Sequence, residues 1–487
     1  MKMQNKKYKF SAKCSLGFIA LTVLYVNVVQ ASNVKAGFAL SFENAIKTAQ
    51  KNDPWLTGNI HKQRALESMS QAVNTLSDPV VSISLANLPV NGFDFSQEGM
   101  TQAKLGIAQM FPRGDTLAIQ SQQLKTQSEA FPFQRKDRES QVAVTVGSLW
   151  LDVYRVQQSI SLIEKNRSLF EQLAEVAQVS YSSALGKTRQ QDIVRAQLEL
   201  TRLDDRLNLL AQQRNRYEGM LSQWLSEFSS ESTASDSGLL ASDFSLHNIV
   251  ISPKLPAIDL INTDLVFKEN WLKPMALVPY FTNHPAVIAV EKNINATKAG
   301  IKLAEQKYKA QWGVNASYGY RADDPMGSSR ADLFSVGVTF DLPLFTENKQ
   351  DKERESAIYA SEAIKTEKIL LLRQLMAAYA SAKGRLLRLK DRQNLYENKL
   401  LPQINDQAQA SLSAYTNDDG DFSEVVRSRI AVLNTEIDDL TLNVEEQKIR
   451  LELNYLFIGN LNTAITHNNT ITNNSSRTSV VSELINE

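Results

Sequence analysis

The chain has 487 residues, 43% of them hydrophobic, and its 53 lysines and arginines balance its 53 aspartates and glutamates. A chain without basic excess is not typical of a nucleic-acid-binding protein. Its only cysteine is Cys14, so the chain beyond the N-terminal segment has no disulfide or thiol chemistry.

Residues 1–31 have the pattern of a secretory signal peptide. Five lysines lie before residue 14, an apolar run spans 15–29, and Val29-Gln30-Ala31 is a small-residue cleavage site. The apolar run is short and is broken by Asn27, which argues against a membrane anchor. We therefore expect an exported protein, mildly acidic once the five lysines are removed.

Residues 38–76 predict an amphipathic helix that is interrupted at Asp53-Pro54. A β-hairpin is predicted over 80–112, because apolar residues alternate there with small or polar residues on both sides of a turn-rich loop.

Two long helices follow the first hairpin. Apolar residues recur at three- and four-residue steps over 115–184, which predicts one helix of about 100 Å, kinked at Pro132. Gly186 ends the pattern, and a return helix is expected over 188–228. Together they predict an antiparallel coiled-coil hairpin.

Residues 229–282 are Ser-rich at first and then Pro-rich, which predicts an irregular equatorial insert. A helix then begins near Pro285, a hairpin follows over 311–345, and two more long helices run to residue 457, the first with Pro402 inside. Residues 461–487 are rich in Asn, Thr and Ser, and we expect a disordered polar tail.

The two halves of the chain match at a near-constant offset. Asn-Asp-Pro at 52–54 and Phe-Pro at 111–112 correspond to Asn-His-Pro at 283–285 and Leu-Pro at 342–343, about 231 residues later. Such an offset is the signature of a tandem repeat. The repeat units predicted are 32–228, with its hairpin and helical hairpin, and 283–460.

The second hairpin shows the alternation most clearly. Apolar residues share one parity and small or polar residues the other; the apolar set includes Trp312, Val314, Tyr318, Tyr320 and Val336, and the polar set includes Asn315, Ser317 and Ser335. We expect the apolar side to face lipid and the polar side a lumen.

Catalytic constellations are lacking in the sequence. The four histidines are dispersed, and there is no metalloprotease motif, nucleophile elbow or phosphate-binding glycine loop. We therefore predict no enzymatic activity, no cofactor and no metal site. Met100 and Met326 lie in the hairpin loops, where a soft-metal role is the minor interpretation and plain loop residues the favoured one.

The strands and helices together constrain the assembly. An open sheet cannot lie in lipid because its edge groups have no partners, and four strands cannot close around a lumen. Several copies must then contribute, and three copies give twelve strands. The long helices would continue this barrel into the periplasm as a tube.

In these features the chain resembles the TolC family of outer-membrane efflux channels. The resemblance rests on the 52–54 and 283–285 helix starts, the two hairpins and the two turns, and it covers roughly residues 38–460. It implies a mainly α-helical chain with a small β part. It also implies a homotrimer, in which each chain contributes four strands to a twelve-stranded outer-membrane barrel and long helices to a coiled-coil barrel in the periplasm.

The resemblance also implies partners and a role. These are a periplasmic adaptor (membrane fusion) protein, an inner-membrane pump and outer-membrane lipid, with no nucleic acid. The stretches 108–114 and 336–351 are similar to members that work with metal-exporting pumps of the resistance-nodulation-division class. Drug efflux and type I secretion remain alternatives on the same fold. A periplasmic coiled-coil adaptor is disfavoured, because an adaptor would not carry two amphipathic hairpins.

The turns at the far ends of the long helices are the predicted tips, because glycine there can end a helix. By the resemblance, these tips contact the adaptor. The tip residues are Leu185, Gly186 and Lys187 in the first unit and Asp419, Gly420 and Asp421 in the second.

Just past each turn, an acid-x-x-Arg motif predicts a periplasmic gate. It consists of Asp192 with Arg195 and Glu424 with Arg427. An ordinary surface ion pair is the alternative. By the resemblance, Tyr415, Glu424 and Asp192 match a gate tyrosine, an aperture carboxylate and a linking carboxylate. The sequence departs from the family where Gly420 replaces a gate arginine and Arg427 replaces a second carboxylate.

Overall fold

The computed structural model describes residues 39–182, 189–226, 249–268, 271–417 and 419–460. The expected signal peptide (1–31), the polar tail (461–487) and the tip residues Leu185, Gly186 and Lys187 lie outside these ranges. The helices and strands, in chain order, are α1 (Phe42–Asn52), α2 (Pro54–Ala72), β1 (Val80–Ala86), β2 (Gln102–Phe111), α3 (Thr116–Ser128), α4 (Phe131–Ser182), α5 (Gln190–Leu225), α6 (Thr263–Phe267), α7 (Pro274–Thr282), α8 (Pro285–Gln306), β3 (Trp312–Tyr320), β4 (Leu333–Phe340), α9 (Gln350–Leu395), a π-helical turn (Tyr396–Leu400), α10 (Leu401–Thr416) and α11 (Phe422–Leu456).

The described chain is mainly helical with one small antiparallel sheet, as predicted. The strands are ordered β1-β2-β3-β4, so the two predicted hairpins pair with each other through β2 and β3. Phe111 lies opposite Trp312 in that central pair. Within the described residues, β1 and β4 each have one edge without a partner strand.

The helix break at Asp53-Pro54 is confirmed and has a local cause. The Asp53 carboxylate accepts a hydrogen bond from the Trp55 N–H at 3.0 Å and so caps α2, whose first residue is Pro54. The Arg138 guanidinium forms an ion pair with Asp53 at 2.8 Å and lies against the rings of Trp55 and Trp224. This cluster fixes the start of α2 against α4 and α5.

The single kinked helix predicted over 115–184 is wrong. The structure has two helices, α3 and α4, separated at Glu129 and Ala130, and Pro132 is the second residue of α4. Proline is tolerated there because the first amides of a helix have no intrahelical acceptor. Pro402 likewise lies at the second position of α10, after the π-helical turn, which accommodates the irregularity inside a long helical stretch.

Helices α4 and α5 pack through a seam with seven-residue spacing. The buried seam residues are Val156, Ile163, Phe170 and Ala177 on α4, and Ala196, Leu203 and Leu210 on α5. A strict heptad spacing indicates left-handed coiled-coil packing. Helix α11 joins the same cluster through Phe422, Val426 and Leu433. The 52 residues of α4 correspond to about 78 Å of helix.

The described part of the 229–282 segment contains two short helices, α6 and α7. The Lys383 ammonium of α9 is buried and donates to the carbonyl of Lys268 at 2.8 Å, just past α6. It also lies 5.0 Å from the centre of the Trp271 ring. A lysine bound to the carboxyl end of α6 satisfies carbonyls that have no helical partner and so attaches the segment to α9. None of the helices in the described residues is both long and apolar enough to cross a membrane.

His284 caps α8 from a fully buried position. Its Nδ1 accepts the Ala286 N–H at 3.3 Å, and its Nε2 lies 3.1 Å from the Tyr455 carbonyl oxygen, to which it donates as the neutral tautomer. Burial lowers the pKa of His284 to about 4. The Tyr455 hydroxyl donates to Asp137 of α4 at 2.9 Å, so this cap connects α8, α11 and α4.

We expect the stability of this junction to fall with acid. In the unfolded chain His284 binds a proton below about pH 6.5, whereas in the fold it stays neutral until about pH 4. The contribution of neutral His284 to the stability of the fold is therefore complete above pH 6.5 and is lost as the pH falls towards 4. Between pH 7 and 5 the loss is about 2 kcal/mol.

The measurement is amide hydrogen exchange in the first turn of α8, corrected for intrinsic rates, at pH 7 and 5. His284→Asn retains an oxygen acceptor for the cap and should remove this pH dependence. His61→Asn, at an exposed histidine of α2, is the control and should leave it intact. An identical pH dependence in wild type and His284→Asn would contradict the assignment.

Candidate functional site

The cross-strand register sorts the sheet into two faces. Directly opposed residues point to the same side of a sheet. One face is apolar on all four strands except at Gln109, with rows such as Ile83–Leu105–Tyr318–Phe334, Val81–Ile107–Ala316–Val336 and Phe111–Trp312–Phe340. Asn315, Ser317 and Ser335 lie on the opposite face, in agreement with the predicted parity.

The apolar face is not covered by the rest of the described chain. Ile83 is 85% exposed, Phe334 73% and Val336 64%. A contiguous apolar surface of this extent marks contact with another apolar phase or partner.

Aromatic residues lie at both ends of the apolar face, with aliphatic residues between them. Trp312 and Phe340 form a pair with ring centres 4.9 Å apart at the helix-proximal end. At the other end Phe95 stacks on Tyr320 at 6.3 Å. The eight-residue step from Trp312 to Tyr320 corresponds to about 27 Å along a strand. Aromatic belts around an apolar band about 25 Å high are typical of outer-membrane strands.

The opposite face is small, polar and flat, because side chains lie over neighbouring glycines. A Cβ at Gly106 would lie 2.7 Å from Ser82 Oγ, and one at Gly337 would lie 2.7 Å from Asn315 Oδ1. At Gly313 the neighbouring atom is Met110 Sδ, at 2.6 Å. These neighbouring side chains occupy the space that a Cβ would take, so the face carries little side-chain bulk at the glycines.

At the far end of the helices, the turn from α10 to α11 depends on Gly420. A Cβ there would lie 2.6 Å from the Tyr415 nitrogen, which is backbone and cannot move aside. The Asp419 N–H donates to the Ala414 carbonyl at 2.9 Å and closes the end of α10. Asp421 then begins α11 as its N-cap, accepting the Ser423 N–H at 3.1 Å.

Asp421 also interacts with the charges of α5. Its pKa is lowered first by the hydrogen bonds from Ser423, and then by the positive charges of Arg195 and Arg189. These arginines lie at the start of α5, so their positive charges attract the Asp421 carboxylate at the start of α11. Tyr415 packs edge-on against the buried Phe422 with ring centres 5.6 Å apart, which ties the end of α10 to the coiled-coil core.

The two acid-x-x-Arg motifs have different environments. Asp192 is buried, and its carboxylate accepts a hydrogen bond from the Arg189 N–H at 2.9 Å, so Asp192 caps the start of α5. Its motif partner Arg195 is exposed. Glu424 forms an ion pair with Arg427 at 2.6 Å, with both side chains substantially exposed. Within one chain, this second pair is a surface ion pair of small energetic value.

A cleft of about 680 Å³ lies at the tip, between the ends of α4 and α10 and the starts of α5 and α11. Of the predicted residues, it is lined by Asp192, Tyr415, Asp419, Gly420 and Asp421, whereas Arg195, Glu424 and Arg427 lie outside its lining.

Six lining residues were missed in the sequence, among them Arg189 and Phe422. Arg189 lies three residues before Asp192, which is the spacing of a helix cap to its acidic partner. Phe422 begins the apolar series of α11. Among the described residues, no group of three or more His, Cys, Asp or Glu side chains could hold a metal ion.

No family model and no curated protein sequence matches the chain. Solved structures do match it in fold. The outer-membrane channel OprN is 15% identical, with 86% of this chain and 90% of that one covered at a TM-score of 0.64. CusC is 13% identical over 86% and 92%, with a TM-score of 0.65.

The Campylobacter jejuni outer membrane channel CmeC is also similar, with 10% identity over 86% and 85% of the two chains and a TM-score of 0.66. These three proteins are channels and not enzymes. The chain therefore has the fold of outer-membrane channel proteins.

Proposed function

We propose that the chain is an outer-membrane channel subunit of an efflux system, without enzymatic activity. The observation that carries the proposal is the sheet, with an uncovered apolar face bounded by aromatic residues and a flat polar face behind it. A water-filled barrel in lipid needs this combination. The shared fold of OprN, CusC and CmeC supports it.

The proposed assembly is a homotrimer. Edge strands in lipid must be paired, because the bilayer offers no hydrogen-bonding partner for free N–H and C=O groups. Strands β1 and β4 have opposite directions, so β4 of one copy can pair antiparallel with β1 of the next. Three copies would close a twelve-stranded barrel, and the α4–α5 and α10–α11 hairpins would form the periplasmic tube.

The orientation of the faces is tested by two neighbouring substitutions in β4. Val336→Arg places a charge on the proposed lipid face and should cost about 2–4 kcal/mol near the bilayer centre, with loss of assembled trimer. Ser335→Arg, its matched control, places the same charge on the proposed lumen face and should assemble. The readout is the amount of cross-linked trimer in outer-membrane fractions. Assembly of the Val336 variant together with failure of the Ser335 variant would reverse the orientation.

The proposed partners are a periplasmic adaptor, which would bind the helix tips, and an inner-membrane pump that delivers the substrate. The tip carries Asp419 and Asp421 on a turn of fixed conformation, which is suited to a specific contact. A cysteine at Asp419 should cross-link to the adaptor in cells. Reaction with small reagents alone would contradict this contact.

For the substrate we propose metal cations, with a pump of the resistance-nodulation-division class. Drug efflux and type I secretion on the same fold are the second candidate, and a periplasmic adaptor is a weaker one. A wide passage need not bind what it conducts, so the substrate is best identified by the pump encoded beside the gene. A metal-type pump would support the first candidate, and a drug pump or an ATP-driven secretion system the second.

We also propose that the tips close the resting channel. Three copies of Glu424 around the axis would form an acidic ring, flanked by the Arg427 side chains with which they pair. Tyr415 and Asp192 would hold the helix ends in the closed position, since both line the tip cleft. Arg195 would support them through its attraction to Asp421.

Removal of the ring carboxylate tests this gate. Glu424→Ala should lower the cation selectivity of the purified channel in planar bilayers and weaken block by multivalent cations, because three negative charges are lost at the narrowest point. Glu436→Ala, further along α11, is the matched control and should behave as wild type. Identical selectivity and block in wild type and Glu424→Ala would reject the ring and leave only a surface pair.

A further inference from the structure

The four strands contain a single charged residue, Lys104 of β2. Every other position in them is apolar, small or uncharged polar. In a membrane-associated sheet, a single charge on the lipid side lowers the stability of the protein, whereas a charge on the lumen side influences which ions pass.

The register places Lys104 on the flat polar face. It lies opposite Ser84 of β1 and Gly319 of β3, and its parity is opposite to that of Leu105. The space over Gly319 is occupied by Gln102 and not by the lysine. The two residues directly opposite Lys104 are therefore small, and its side chain is only partly buried. None of the described acidic residues forms an ion pair with it.

We propose that Lys104 is a charge-selectivity residue of the channel. In the trimer, on which this inference rests, three copies form a ring of ammonium groups near the loop end of the barrel. The ring favours anions over small cations in the outer part of the lumen. This preference acts on passage in both directions, so exported metal cations would pass against it.

The dimensions of such a barrel make the ring effective. Twelve strands about 4.8 Å apart, tilted by about 40°, give a barrel radius of about 12 Å. A lysine side chain that points inward brings its charge within one Debye length of the axis, which is about 8–10 Å at ordinary salt. The potential of the ring therefore extends across the passage.

The loops at this end carry charges of their own. Asp94 accepts the Ser96 N–H and Asp324 accepts the Met326 N–H, both at 2.9 Å, while Asp332 accepts the Arg321 N–H at 3.0 Å. Arg330 donates to the carbonyl of Ser96 at 3.2 Å, which joins the two loops. These groups are the same in wild type and in a Lys104 variant, so a comparison of the two isolates the ring.

The test uses the purified channel in planar bilayers under a tenfold KCl gradient. Lys104→Gln should raise the potassium-to-chloride permeability ratio about twofold or more, and Lys104→Glu should raise it further. Block by tripolyphosphate added at the barrel side should weaken in the same order. Lys62→Gln, at an exposed lysine of α2, is the control. All variants are repeated in the Glu424→Ala background, so that the proposed gate does not mask the barrel.

The outcomes separate the two proposals. A conducting wild-type channel whose reversal potential is unchanged in both Lys104 variants would overturn the ring alone. A protein that conducts no ions in both the wild-type and the Glu424→Ala background would overturn the proposed channel, and the ring with it.

Discussion

The structure depends on one constraint, which is the hydrogen bonding of the sheet edges. Strands β1 and β4 have unpaired edges within the described chain, and the face they share is apolar and exposed. In water this surface would be an aggregation site, and in lipid its open edges would be unsatisfied. The proposed pairing of β4 with β1 of another copy would resolve both problems. The exposed apolar face, the flat glycine-rich face and the β2–β3 pairing are what the proposed closed barrel requires of the sheet in each chain.

The long helices also depend on neighbouring elements, because helices in proteins are stabilised mainly by packing. The heptad seam of α4 and α5 supplies that packing, and specific caps begin the helices: Asp53 for α2, His284 for α8 and Asp421 for α11. Two of these caps follow directly from the Asn-Asp-Pro and Asn-His-Pro sequences. They serve the same position with different chemistry, because Asp53 is balanced by Arg138 and His284 is buried as a neutral ring.

Much of this could be read from local patterns in the sequence. Strict alternation located the four strands and sorted residues such as Trp312 and Asn315 onto opposite faces, and Asp53-Pro54 marked a helix boundary. Features that depend on tertiary contacts could not be predicted in this way. The junction of the two hairpins through Phe111 and Trp312 joins residues distant in the chain. The break at Glu129 and Ala130 has no Gly or Pro at the break itself. The motif at Asp192 looks like the one at Glu424 in the sequence, but Asp192 is buried and caps the start of its own helix, whereas Glu424 forms an exposed ion pair.

The central claim is that several copies complete one barrel, and the number of chains in the native complex tests it most directly. The measurement is native mass spectrometry of the protein extracted in mild detergent from separated outer membranes, with cross-linking before extraction. The account predicts a complex of three chains in the outer-membrane fraction. A monomer in detergent, or recovery of the protein in the soluble periplasmic fraction, would contradict it.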